Sequence, residues 1–278
     1  MERVAVVGGG LAGLVAARRL AERGLAVTLY EASERLGGRV GSDASEGFVL
    51  DRGFQVLFPS YPAVRRELDL AALDLRHFRP GAIIARPGQR SVLSDPTRDL
   101  RALPPSLFNR EITFEDKFRV LQLRRDLAGQ SPEEILEHDR RSIETALADR
   151  GFSARFREAF AAPFLGGITL DRSLSTAEFV FEYAFKMLGE SRAAVPAAGM
   201  GAIPAQLAER ARAAGVDVVL DAPVDSIEAA LDEVTLEIPG GFETVDGAVV
   251  ATDPETAAVL TGVDGIPTEM RGCVTQHF

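Results

Sequence analysis

A glycine run set between a strand and a helix constrains this chain more than any other feature. Val4–Val7 is a short β-branched apolar run, as expected of a strand buried on both faces. Gly8-Gly9-Gly10-Leu11-Ala12-Gly13 follows at once and fits G-x-G-x-x-G. From Leu11 to Leu20, apolar and charged residues separate at helical spacing, and Gly24 ends the pattern. Val27–Tyr30 reads as a second strand, so residues 4–31 predict one βαβ unit with a right-handed parallel crossover. In such a unit Gly8 permits the tight turn, Gly10 lets a pyrophosphate approach the backbone, and Gly13 lets helix and strand pack closely. The helix start, at Leu11 and Ala12, offers N–H groups and a partial positive charge to phosphates. Glu31 stands 18 residues beyond Gly13, at the end of the second strand, placed to accept hydrogen bonds from an adenosine ribose. A carboxylate there repels the 2′-phosphate of NADP.

Glu31-Ala32 leads into Arg35-Leu36-Gly37-Gly38-Arg39, a second glycine pair beside basic side chains. Two glycines allow close backbone approach, and Arg39 can pair with a phosphate or carboxylate. Taken alone, the segment reads as a surface turn with solvated arginines.

Taken together, residues Val4 to Arg39 resemble the flavin-binding start of the FAD-dependent amine oxidase superfamily, which includes protoporphyrinogen oxidases and phytoene desaturase-like enzymes. Asp51-Arg52-Gly53-Phe54-Gln55 is similar to that family's loop beside the isoalloxazine ring. Pro196-Ala197-Ala198-Gly199-Met200, followed by Ala202-Ile203-Pro204, resembles the P-x-G-G-M segment of the desaturase-like branch, departing from it at Ala198. Val224 matches the Val whose backbone meets the adenine, and Val250–Pro254 resembles the strand and turn that return to the cofactor. The resemblance implies FAD as cofactor, with Gly8, Gly10, Leu11, Ala12 and Gly13 at the pyrophosphate and Glu31 and Ala32 at the ribose. It places Gly38 and Arg39 near the phosphates, Gly53, Phe54 and Gln55 near the flavin, and Val224 at the adenine. The implied chemistry is hydride-type removal from a C–N or C–C bond of an amine or apolar substrate.

The fold class implied is α/β: a Rossmann-like FAD-binding domain, residues 1–85 and 197–262, carrying an inserted, largely helical substrate domain, residues 86–196 and 263–278. Ala82–Ala85 and Ser91–Leu93 read as strands around Pro87-Gly88, and helical patterns then run to Leu188. Thr113 and Ser131 open capping sequences. Strand signals return at Val216–Leu220, Val224–Ile227, Val234–Ile238, Phe242–Val245 and Ala248–Ala251. Ten of the 16 Phe residues lie between Phe108 and Phe185. Phe152, Phe156, Phe160 and Phe164 recur every four residues, with Pro163 expected to disturb the last turn. Such a stripe forms core, or else an apolar pocket for a hydrophobic substrate.

A net charge of −10 argues against a nucleic-acid partner, which needs clustered Lys and Arg. The single Cys273 forms no internal disulfide, no Cys/His spacing suggests a metal site, and a cytoplasmic location is expected. No apolar stretch is long enough for a transmembrane span, which leaves at most peripheral membrane contact. His77, His138, His277, Lys117 and Lys186 are scattered singly, so no catalytic residue is assigned. Cys273–Phe278 reads as a strand, and the superfamily's C-terminal flavin-covering segment has no counterpart. Missing strands imply an open sheet edge that seeks a second copy or a complementing chain. Beside the FAD oxidoreductase reading stand two alternatives: a truncated, non-catalytic FAD-binding or assembly subunit, and an NAD-dependent dehydrogenase. Gly37-Gly38-Arg39 counts against the last.

Overall fold

β1 (Arg3–Val7) lies between β2 (Ala26–Tyr30) and the strand Gly247–Val250, parallel to both. Asp217–Val219 extends this parallel sheet beyond β2. Ala5 and Val6 are fully buried, which is why β1 is an unbroken apolar run rather than an alternating one. The computed structural model describes residues 2–53, 55–94 and 112–277. These divide into two units, the first formed by Met1–Val56, Ala63–Arg76 and Val195–Phe278, the second by Leu57–Pro62 and His77–Ala194.

In the first unit, α1 (Leu11–Ala21) connects β1 to β2 and buries Gly13, Leu14 and Ala17. The helix Ala202–Ala213 packs against it. Arg18 and Arg19, in the last turn of α1, pair with buried Glu67, which also receives Arg66. Burial alone would push the Glu67 carboxyl up, but the guanidinium groups of Arg66, Arg19 and Arg18 hold it below the usual carboxylate range. An antiparallel sheet of Ser226–Ala229, Val234–Ile238 and Gly241–Val245 shares a core with β1 and β2, in which Leu236, Val245, Ala5, Val7 and Tyr30 are buried. A small hairpin joins β3 (Ser42–Ser45) to β4 (Phe48–Asp51).

The second unit carries the hairpin Gly81–Arg86/Gln89–Ser94 and the helices Phe114–Ala128, Pro132–Leu136, Ile143–Asp149, Ala162–Thr169 and Glu178–Glu190. Thr113 and Ser131 each close a capping box, and Ser142 and Ser153 cap the next two starts. The Phe stripe is core. Phe152, Phe156 and Phe181 are buried with Ile135, Ile143 and Leu147, and Phe160 and Phe164 pack against them. Ring centroids along the stripe are 4.5, 5.4 and 5.3 Å apart. Pro163 does not break the helix. It sits in the first turn of Ala162–Thr169, and the chain before it widens into a π turn, Arg157–Ala161, in which Ala162 N–H reaches Arg157 C=O.

Three sequence expectations are corrected. The boundary at residue 85 moves, because Leu57 pairs with Ala194 and the hairpin from Gly81 is part of the helical unit, while 263–278 group with the first unit rather than the second. The strand expected at Val224–Ile227 runs from Ser226 to Ala229, its start set by pairing with Val234–Ile238 rather than by the apolar run. Residues 273–277 form no strand. Val274 is 91% exposed and pairs with no strand among the described residues, and β-propensity without pairing makes none. Among the described residues no helix is long and apolar enough to cross a membrane.

Candidate functional site

The site grows from the point where the sheet changes direction. From β1 the chain moves outward to β2 on one side, while Gly247–Val250 returns on the other, so the C-terminal ends of β1 and Gly247–Val250 mark a topological switch point. Gly8–Gly10 forms the turn at that end, and the first helical bond runs from Leu14 N–H to Gly10 C=O at 3.0 Å. Ala12 and Gly13, in the first turn, precede that bond. α1 has no acidic residue in its first turn and no side-chain cap, while Arg18 and Arg19 occupy its last turn, so no side chain of the helix itself offsets its positive end.

The three fingerprint glycines have different reasons. A Cβ on Gly13 would stand 1.9 Å from Gly8 O, and one on Gly8 would stand 2.8 Å from Ala251 O, so the fold itself requires both to be bare. A Cβ on Gly10 would meet nothing within 4 Å, and its φ of −72° suits any residue. Protein packing therefore gives no reason for glycine at position 10.

Glu31 is held from two sides. Oε2 accepts the Gly9 N–H at 2.7 Å, and Oε1 accepts the Ser33 N–H at 3.0 Å and the Ser33 hydroxyl at 2.7 Å. These three donors fix the carboxylate at the β2 end and leave about one lone-pair site for a further hydroxyl. Ala32 is exposed beside it. The Glu31 carbonyl accepts the Ala222 N–H at 2.9 Å, which brings the 222–225 loop, with half-buried Val224, to the same edge.

The second glycine pair is not a free surface turn. Gly37 N–H donates to Gly9 C=O at 2.9 Å, Gly10 bridges Gly37, and a Cβ on Gly38 would lie 3.4 Å from Gly10 Cα. Arg39 is exposed, and among the described residues its guanidinium makes no ion pair. Its carbonyl accepts Gln55 Nε2 at 3.2 Å, and Gly53, at φ +94°, lies next to that amide. Phe54 falls outside the described residues.

Two positions that the sequence reading did not single out as site residues frame this arrangement. Asp51 Oδ1 accepts the Ser42 hydroxyl at 2.6 Å and the Met200 N–H at 2.8 Å, and Ser42 Oγ accepts the Gly201 N–H at 2.8 Å. Gly199 adopts φ +85°, and a Cβ there would come 2.6 Å from Ser42 Oγ. The β3–β4 hairpin is thus fastened to the Gly199–Gly201 turn. The only sequence signal for this clamp is the pairing of the Asp51 and Gly199 motifs. Among the described residues, no group of three or more His, Cys, Asp and Glu side chains is arranged to hold a metal.

The residues fit a dinucleotide. They provide a carboxylate for the ribose, a bare backbone and helix start for the diphosphate, and a cation beside it. Residues 11–269 match the family described as flavin containing amine oxidoreductase. The chain is 29% identical over 170 residues to protoporphyrinogen oxidase 2, chloroplastic/mitochondrial, of Arabidopsis thaliana, covering 60% of this chain and 32% of that protein. An oxidoreductase from Methanosarcina mazei superposes with a TM-score of 0.70 at 20% identity, covering 94% of this chain and 61% of that one. Putrescine oxidase bound to putrescine superposes with a TM-score of 0.67 at 23% identity, covering 94% of this chain and 60% of that one. The chain thus spans about a third of the plant protein and about three fifths of the two solved structures. On the match that runs through most of its length, this chain belongs to the flavin containing amine oxidoreductase family.

Proposed function

We propose that this chain binds FAD and forms the dinucleotide-binding part of an oxidoreductase acting on an amine or an apolar substrate. The observation that carries the reading is Gly10, a glycine that neither packing nor backbone conformation requires, at the open start of α1. Glu31, pinned by Gly9 and Ser33, takes an adenosine ribose hydroxyl on its remaining acceptor site. Val224 lies beside the adenine. The N–H groups of Ala12 and Gly13 take the diphosphate, with Arg39 offsetting its charge. Gly38 lies with Arg39 at the diphosphate, Gly53 and Gln55 line the flavin end, and the Asp51–Ser42 clamp holds that end against Gly199–Gly201. When bound, the flavin supplies a two-electron acceptor for hydride-type removal from a C–N or C–C bond. The helical unit carries the substrate side in this reading, and no side chain is assigned as acid or base.

The test is titration of the purified protein with FAD, FMN and NAD, followed by flavin fluorescence and visible absorption for the flavins and by calorimetry for NAD. FAD should bind far more tightly than FMN, because FMN lacks the adenosine half that Glu31 and α1 would hold. Equal affinity for FMN, or preference for NAD, overturns the proposal. Anaerobic bleaching of the bound flavin by amines or by polyenes then identifies the substrate class.

A further inference from the structure

Glu67 draws more positive charge than one carboxylate needs. It is buried at the end of the short helix Pro62–Glu67, and three guanidinium groups reach its two carboxylate oxygens. Arg18 Nη2 donates to Oε2, while Arg19 Nη2 and Arg66 Nε, the latter at 2.7 Å, both donate to Oε1. Arg210 adds a fourth guanidinium, bonded to the Glu67 carbonyl. Among the described residues, the one other carboxylate bonded to these four is Glu22, held by Arg18 Nη1 at 2.5 Å. The cluster thus sets four cations against two anions, in a chain whose net charge is −10. One guanidinium neutralises a buried carboxylate, and the same cation serves the negative end of its helix. The surplus collects at one point. Two nitrogens that share an oxygen lie within about 6 Å of each other, twice a hydrogen-bond length, so Arg19 and Arg66 are like charges at close range. Their side chains are 41% and 60% exposed, against 14% for Arg18. Each spends one donor on Glu67 and bonds no other group among the described residues, which leaves Nη1 and Nη2 of Arg66 and Nη1 of Arg19 unspent. All of this lies in the first unit, with Arg19 about 12 Å along α1 from Leu11 and the dinucleotide site.

We infer that Arg19 and Arg66 form a second anion site, separate from the dinucleotide site, which takes a phosphoryl dianion across the two guanidinium groups. The ligand is phosphate itself or a small phosphate monoester. Its oxygens accept from guanidinium forks as carboxylate oxygens do, and two negative charges match the surplus around Glu67.

The experiment titrates inorganic phosphate and glycerol 3-phosphate, at fixed ionic strength and about pH 7.5 where the phosphoryl group is largely dianionic, into wild type, Arg66→Gln, Arg19→Gln and Gly10→Ala, read by calorimetry. The expected result is a saturable step in wild type that Arg66→Gln and Arg19→Gln each weaken at least tenfold and Gly10→Ala leaves unchanged. FAD affinity should be the same in Arg66→Gln as in wild type. Arg66→Gln leaves Arg18 and Arg19 on Glu67, and its melting temperature checks the fold. If it melts early, Arg66→Lys keeps the charge, removes the fork and should show the same loss. Tighter binding of glycerol 3-phosphate assigns the site to monoesters, and equal binding assigns it to phosphate. A step lost in Gly10→Ala but kept in Arg66→Gln places the anion at the start of α1 and overturns the inference. No saturable step in wild type overturns it too, leaving the arginines with Glu67 and the helix ends as their whole duty.

Discussion

Glu31 Oε2 lies 2.7 Å from the Gly9 nitrogen, so the acid that ends β2 is tied directly to the glycine turn that ends β1. Acid and turn are one structure, each fixing the other. Glu31→Gln would set an amide N–H₂ against either Gly9 N–H or the Ser33 donors. We expect it to lower stability by about 1 kcal/mol and FAD affinity by at least tenfold. Thermal melts and FAD titration check both effects.

Gly10 and Gly13 should separate ligand binding from folding. Gly10→Ala adds a Cβ into open space and should cost at most about 1 kcal/mol, the scale of an altered helix N-cap. It should nevertheless reduce FAD affinity strongly. Gly13→Ala forces a Cβ onto Gly8 O and should cost about 3 kcal/mol or more, lowering the melting temperature even without ligand. Urea unfolding of both variants, with and without FAD, distinguishes the two outcomes.

Asp116 should govern the acid limb of stability in the helical unit. Burial alone would push its carboxyl up, but the Ser153 N–H at 2.8 Å, the Thr113 hydroxyl at 2.6 Å and the Ser153 hydroxyl at 2.7 Å hold it below the usual carboxylate range. A folded-state pKa below the unfolded one adds stability that is fully present above about pH 4 and lost as pH falls through the folded value. Asp116→Asn should therefore destabilise the protein at pH 7, by about 1–3 kcal/mol, and the difference from wild type should shrink as the pH is lowered below 4. Denaturant midpoints measured across pH 2–7 decide this.

Phe181 is 6% exposed within the aromatic core. Phe181→Ser removes a buried ring and places a hydroxyl in its cavity, at a cost of about 3–5 kcal/mol. The expected readout is a lowered denaturant midpoint. Normal stability with lost turnover would reassign the stripe to a substrate pocket.

The parts of the fold legible in the sequence are those built from contacts close along the chain. β1, α1 and β2 carry their own periodicity, and Gly24, at φ +88°, ends α1 where expected. Thr113 and Ser131 likewise announce their helices within four residues. What could not be read depends on distant partners. Ser33 and Gly9 brace Glu31 through bonds that no motif encodes, and Asp51 meets Met200 across a separation of 149 residues. The strand near Val224 slipped by two residues because its register is set by Val234–Ile238. Residues 273–277 kept strand composition but pair with no strand among the described residues.

The widened turn at Arg157–Ala161 has a consequence for how this stretch tolerates change. It holds one residue more than an α-helix of the same rise. Deleting that residue would restore ordinary helical winding, yet it would swing everything on one side by about 100° relative to the other. Phe152 and Phe156 would then part company with Phe164, and the aromatic column would be cut in two. Swapping one ring for another of similar bulk should be forgiven here far more readily than gaining or losing a single peptide unit.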